Sequence, residues 1–126
     1  MTNAMRAILL ALFALVLPAT AGTPTAGVAS WYGESHRAKL MSNGQRFDPS
    51  KMTAASWYYA LGARVRVTLK EPARQVTVTI TDRGPARWLV RQGRTIDLAQ
   101  AAFEKLANPK VGLIVVMVEP LTGEGR

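Results

Sequence analysis

Asp82 stands where an apolar run ends, with Arg83-Gly84-Pro85 directly after it. A carboxyl group held at the end of a rigid strand and aimed over the mouth of a small fold is placed to give and take a proton, the work of a general acid. The competing reading is a turn aspartate bonding the backbone amides of Gly84 or its neighbours, a common use of Asp before Gly. Two further clusters precede it: Ala29-Ser30-Trp31-Tyr32-Gly33, and Asn43-Gly44-Gln45-Arg46-Phe47-Asp48 with Thr53-Ala54-Ala55 after it. They supply a second carboxylate, Asp48, two amides, and flat aromatic surface. The chain has no Cys and one His, His36, so thiol nucleophiles, disulfide scaffolds and Cys-ligated zinc are excluded. No metal constellation is visible and no cofactor is expected.

Elements must hold these residues. Val65, Val67 and Leu69 alternate with Arg64, Arg66 and Thr68, and Val76, Val78 and Ile80 alternate with Gln75, Thr77, Thr79 and Thr81. That period of two predicts two strands, each burying one face, and the connector Lys70 to Arg74, with Pro72, suits a hairpin. Upstream, Val28 to Tyr32 is the first expected strand. Gly33 to Lys51, punctuated by Asn43-Gly44 and Asp48-Pro49, reads as a structured loop crossing one end of a sheet. Asp97 and Gln100 have capping-box spacing, and Leu98, Ala102 and Leu106 recur at i, i+4 and i+8. Together they predict a short amphipathic helix with Asp97 at its N-cap, closing near Asn108-Pro109. Leu113 to Val118 is apolar at every position, as in a central strand buried on both faces. Short strands, long turns and little helix make a small mostly-β barrel the expected fold.

At 126 residues, with 16 Lys and Arg against 8 Asp and Glu for a formal charge of +8, the chain is one small domain. Its start is a separate matter. Arg6 precedes the apolar run Ala7 to Val16 and an Ala-x-Ala end at Ala21, the three parts of a secretory signal peptide. The run falls short of the roughly 20 residues that span a bilayer, which argues against the alternative of an uncleaved anchor. Residues 1–21 are thus expected to be a signal peptide, 22–26 a short leader, 27–121 the domain and 122–126 a tail. No Cys follows the apolar run, so no lipid anchor is expected. Removing Arg6 with the leader leaves +7, a balance that favours an anionic polymer as partner. Export makes acidic headgroups and the carboxylate-bearing peptides of bacterial cell wall more accessible than nucleic acid, which is not the expected partner.

These clusters, taken in order, resemble the rare lipoprotein A (RlpA) family of exported bacterial proteins. The matching residues are Ala-Ser-Trp-Tyr-Gly at 29–33, Asn-Gly-x-x-Phe-Asp at 43–48, Thr-Ala-Ala at 53–55, Gly-x-Arg-Val-x-Val at 62–67, Asp-Arg-Gly-Pro at 82–85 and Ile-Asp-Leu at 96–98. The resemblance runs from about Gly27 to Leu121. It implies a small six-stranded double-psi β-barrel, related to expansin and barwin barrels, with one or two short helices. For active members it implies a periplasmic, cell-wall-associated endolytic transglycosylase, a lyase that cuts the glycan strands of peptidoglycan and leaves 1,6-anhydro-muramic ends. In that reaction the sugar's own C6 hydroxyl attacks, so one carboxyl can protonate the glycosidic oxygen and then accept the C6 proton, where hydrolytic enzymes need two. The resemblance gives that part to Asp82, with a raised pKa, and to Asp48 the part of steadying the oxocarbenium charge or tuning Asp82. Trp31, Tyr32, Asn43, Arg83 and Trp88 are the expected substrate contacts, with core or barrel rim the alternative for the aromatics and a solvated basic loop the alternative for Arg83, Arg87, Arg91 and Arg94. Asp97 is expected to be a cap or structural partner. A monomer is expected.

The chain departs from the family pattern at two polar positions. Active members place Glu where this chain has Gln45, and His after Thr-Ala-Ala where it has Ser56. Gln45 keeps the size of Glu without a transferable proton, and Ser56 does not titrate near neutrality as His does. His36 is read as a surface residue. Two functions therefore stand open: a lytic transglycosylase, and a catalytically degenerate, expansin-like barrel that grips glycan without cutting it. A third, nucleic-acid or effector binding outside the cell, rests on charge and Trp alone.

Overall fold

The computed structural model describes residues 22–121, so the expected signal peptide and the tail at 122–126 lie outside the described residues. Six strands make a closed barrel: β1 (Thr25–Tyr32), β2 (Thr53–Ala55), β3 (Arg64–Leu69), β4 (Arg74–Asp82), β5 (Arg94–Ala99) and β6 (Ile114–Pro120), in the order β1-β5-β2-β4-β3-β6. β3 and β4 form the expected antiparallel hairpin, while β1 runs parallel to β5 and β2 parallel to β4. β6 closes the barrel by pairing with both β1 and β3. Closure leaves no strand edge open, which suits a domain stapled by no disulfide. β1 starts ahead of Val28, because Thr25 to Gly27 already pair with Val118 to Val116.

The alternation read in β3 and β4 is what fills the barrel. Val65, Val67, Val78 and Ile80 are fully buried, joined by Ile96 and Leu98 of β5 and Val116 of β6. Two short helices, α1 (Arg87–Val90) and α2 (Gln100–Glu104), lie outside the sheet, and Phe103 and Leu106, in and after α2, add their side chains to the same core. The segment between β1 and β2 carries a 3₁₀ turn at Glu34–His36 and a bridge between Leu40 and Arg46, as a structured loop should.

Two expectations are corrected. Asp97 caps no helix; it lies inside β5, opposite Ser30 of β1 and Ala55 of β2, and α2 begins at Gln100 after Ala99, which gives no side-chain cap. Ladders on both sides of β5 satisfy far more backbone groups than one capping bond, so tertiary pairing overrides the capping-box spacing. Likewise β6 is not buried on both faces. Ile114, Val116 and Val118 face the core, but Val115 is 70% exposed, because no further layer covers the outside of the barrel there.

Candidate active site

A bulge aims Asp82. β2 and β4 pair Ala54 with Ile80 but Ala55 with Asp82, so Thr81 is the extra residue. Ile80 points into the core, and the added residue puts Asp82 rather than Thr81 opposite Ala55, on the outer side of the sheet; bulges commonly re-aim a side chain in this way. Asp82 Oδ1 then accepts three hydrogen bonds, from Ser42 N (2.9 Å), Ser42 Oγ (2.7 Å) and Arg83 N (2.8 Å). These bonds, with Asn43 N donating to Thr81 O (3.2 Å), tie the β1–β2 loop over the end of β4. Oδ2 takes no protein donor among the described residues. The site therefore holds one carboxylate oxygen rigidly and leaves the other available. Gly84 follows at φ +159°, and a Cβ there would lie 3.2 Å from that of Ala55, so the Gly-Pro turn can fold closely over β2.

The neighbour of Asp82 is Asp97. Ser30, Asp97, Ala55 and Asp82 occupy one row across β1, β5, β2 and β4. Ser30 Oγ donates to Asp97 Oδ1 (3.1 Å). Burial pushes the Asp97 carboxyl up to about 6; the Ser30 hydrogen bond and the Arg94 charge pull it down, and the Asp82 charge adds to the rise. Tyr32, two residues along β1 from Ser30, belongs to the same face. Its ring stacks on Phe47 at 4.2 Å and meets His36 edge-on at 5.6 Å, and its hydroxyl is buried with no hydrogen-bond partner among the described residues. Burial first, then the charges of Asp82 and Asp97, push the Tyr32 phenol well above its usual range.

Asp48 is placed differently. Its Oδ1 accepts from Ser50 N (2.9 Å) and Ser50 Oγ (2.7 Å), and Arg37 lies 3.7 Å away. The Ser50 hydroxyl, then its amide, hold the Asp48 carboxyl below the usual range, with Arg37 and Lys51 helping. It serves a turn in the loop and makes no bond to Asp82. Asn43 and Gln45 pair with each other, Gln45 N donating to Asn43 Oδ1 (3.0 Å) and Asn43 Nδ2 to Gln45 Oε1 (3.3 Å), on the exposed loop that Ser42 anchors. Ser56 is fully buried: its N donates to Asp82 O (3.1 Å), and its Oγ accepts from Tyr58 N (3.0 Å). No group of His, Asp or Glu among the described residues forms a metal-ligand set.

The profile of the family described as "Lytic transglycolase" matches residues 24–118, nearly the whole described barrel. The chain belongs to this RlpA-like family of double-psi barrels. It is similar to the endolytic peptidoglycan transglycosylase RlpA of Yersinia pestis (39% identity over 79% of this chain and 28% of that one) and of Vibrio cholerae (36% over 80% and 37%). The chain thus spans well under half the length of these two relatives. It is also 36% identical, over 74% of its own length and 94% of the other's, to an uncharacterised protein of Synechocystis. Among solved structures, the Streptomyces papain inhibitor shares the fold, with a TM-score of 0.60 at 24% identity over 80% of this chain and 96% of that one.

In this RlpA-like barrel the aromatic residues divide. Trp31 turns to the core side, its Nε1 donating to Pro109 O (2.8 Å) and its ring 6.4 Å from Phe103. Trp88, on α1, is exposed, and Arg87 lies over the Trp57 ring at 4.1 Å. Arg83 is a brace: its Nη1 donates to Ser56 O (2.8 Å) and Tyr59 O (2.6 Å). A concavity of about 510 Å³ is lined by Tyr58, Tyr59, Arg91 and the start of β1; neither Asp82 nor Asp97 lines it. Reading the sequence missed Ser42, which nothing but its place beside Asn43 signals, and gave Asp97 to a helix it does not cap.

Proposed function

We propose that the protein is an exported peptidoglycan lytic transglycosylase that works as a monomer at the periplasmic cell wall and leaves 1,6-anhydro-muramic ends. The observation that carries this reading is Asp82: anchored through Oδ1 by Ser42 and Arg83, with Oδ2 unclaimed. Its family and its RlpA relatives support the same substrate. Protonated Oδ2 gives its proton to the glycosidic oxygen as the C1–O bond breaks. The C6 hydroxyl of the same sugar then closes on C1, and its proton returns to Oδ2, so no water is consumed and Asp82 ends as it began. Charge on the oxocarbenium-like centre is met by the carboxylate that forms. The exposed Trp88, the Trp57–Arg87 stack and Arg91 offer sugar-stacking and carboxylate-pairing surface beside the site.

One observation favours the second reading, a glycan-binding barrel without chemistry. Ser56 is sealed beneath the site with its hydroxyl occupied, and Gln45 carries an amide, so neither supplies a proton. The deciding experiment incubates the purified protein with sacculi and with peptide-free glycan strands and seeks anhydro-muramic ends by mass spectrometry. Products that vanish in Asp82→Asn are expected. Saturable co-sedimentation without products overturns catalysis in favour of binding.

A further inference from the structure

The concavity of about 510 Å³ takes no part in the mechanism above. Ile96 of β5, Val118 of β6 and Val90 of α1 give it an apolar lining, and Tyr58 and Tyr59, from the segment after β2, add aromatic surface. A smaller hollow of about 260 Å³ is lined by Trp57 and Arg87 and shares Tyr58, Val90 and Arg91 with the first, so the two adjoin as one groove along α1. The larger of the two has the volume of a small-ligand site.

Charge narrows the choice of occupant. Arg87 and Arg91 both line the groove, and no Asp or Glu does. They stand one helical turn apart and so share a face. Among the described residues the Arg91 side chain makes no hydrogen bond or ion pair. Arg87 lies with its guanidinium over the Trp57 ring at 4.1 Å, a stacking that leaves its N–H donors available in the plane. Such a lining takes apolar groups and anionic oxygens together. Peptide-free glycan offers hydroxyl-covered rings with an isolated carboxylate on each muramic unit. A wall stem peptide offers alanine methyls and several free carboxylates within one short chain, which fits an apolar groove bearing two neighbouring arginines.

The aromatic wall is fixed in advance of any ligand. Trp57 Nε1 donates to Pro85 O (2.7 Å), and Arg83 Nη1 donates to Tyr59 O (2.6 Å). The wall is thereby fastened to the segment that follows Asp82, so little ordering is left for binding to supply. Taking as its basis the reading of peptidoglycan as substrate, we propose that this groove is a binding site for the stem peptide. Peptide carboxylates pair with Arg87 and Arg91, alanine methyls lie against Val90 and Tyr58, and peptide-bearing strands are held in preference to bare glycan.

The test titrates the full-length protein with the free tetrapeptide alanyl-γ-glutamyl-diaminopimelyl-alanine and, separately, with peptide-free glycan strands, following the Trp57 indole N–H and the α1 amides by ¹⁵N NMR. The tetrapeptide should move the Trp57, Val90 and Arg91 signals saturably. Arg91→Gln should weaken its binding about fivefold to tenfold, the order of one charge-assisted pair, with Tm unchanged because the side chain is exposed and unbonded. Arg91→Lys should return part of the affinity, and a tetrapeptide with amidated carboxyls should bind the wild type as weakly as the free one binds Arg91→Gln; a merely structural Arg91 would produce neither result. Unchanged signals, or shifts with bare glycan and none with tetrapeptide, overturn the proposal. Equal affinity for polyglutamate or a DNA duplex also overturns it, reducing the groove to a general attractor of polyanions. Because no readout needs cleavage, tetrapeptide binding by a protein that leaves no anhydro ends overturns the transglycosylase reading alone, and anhydro ends without tetrapeptide binding overturn this one alone.

Discussion

Asp82 and Asp97 flank Ala55 from neighbouring strands, each in register with that one small residue. Their surroundings differ sharply. Asp82 is gripped through one oxygen by three donors at the rim, whereas Asp97 has one donor and a largely dry pocket. Two carboxyls of one row thus sit in unlike surroundings, and burial pushes the Asp97 carboxyl up to about 6.

That difference has a thermodynamic face. Asp97 titrates near 3.9 in an unfolded chain and at about 6 in the fold, so between those values the folded state binds the extra proton. Stability then falls as pH rises from about 4 to about 6 and stays lower above, by on the order of 2 kcal/mol. Urea midpoints measured at about pH 4.5 and about pH 7 should differ in that direction, and Asp97→Asn should remove most of the difference. Equal wild-type midpoints at the two values would show that Asp97 is not raised.

Ser42 holds Asp82 through both its amide and its hydroxyl, so Ser42→Ala takes away one of three bonds. Loosening the hold on the catalytic carboxyl predicts a roughly tenfold drop in the rate of anhydro-end formation. Thermal unfolding should shift little, because Ser42 is exposed, and Ser42→Thr should recover most of the rate.

The two positions that depart from the family pattern should behave in opposite ways. Ser56 has no exposed surface, so Ser56→His forces an imidazole into a filled site and should cost about 1 to 3 kcal/mol, a fall of several degrees in Tm, with no gain in cleavage. Gln45 lies on the exposed loop, and Gln45→Glu should leave Tm within about a degree. A stable, more active Ser56→His variant would refute the buried placement.

Trp31 and Trp88 provide a matched pair. Trp31→Ala empties packing against Phe103 and strands Pro109 O, so unfolding should come about 3 kcal/mol more easily. Trp88→Ala should leave stability unchanged and weaken co-sedimentation with sacculi by roughly three- to tenfold, the loss of one stacking platform. Equal binding by Trp88→Ala would remove α1 from the glycan-binding surface.

Gly27 reports on barrel closure. A Cβ there would lie 2.9 Å from Thr95 Cβ, and closer still to the rest of that side chain, at the β1–β5 pairing. Gly27→Ala should destabilise by about 1 to 3 kcal/mol, and Thr95→Ala in the same chain should recover part of it, a coupling that a double-mutant cycle measures.

Much of this was legible because it is local. The β3–β4 hairpin announces itself by alternation over adjacent residues, and Asp82 by its position before Arg-Gly-Pro. The bulge at Thr81 was not, since a register shift against β2 leaves no mark in the sequence of β4. The capping role read for Asp97 failed for the same reason: Ser30, its partner in the fold, lies 67 positions away, while a plausible capping pattern lay three residues ahead. Val115 shows the converse. Six apolar residues in a row describe composition, and only the fold, which puts no further layer outside the barrel there, decides that Leu113 and Val115 meet solvent.

The closure by β6 bears on how the chain comes to fold as it emerges. β1, near the beginning, finds its antiparallel partner only in Ile114 to Val118, and its parallel one only in β5. The hairpin of β3 and β4 is the one strand pair joined by a short connection, so ordering by non-local pairing must wait until almost the entire sequence is available. An emerging chain therefore stays open and threadable until its last strand arrives, then locks in a single late step, and a stop codon anywhere in β6 would leave β1 and β3 as bare, aggregation-prone edges.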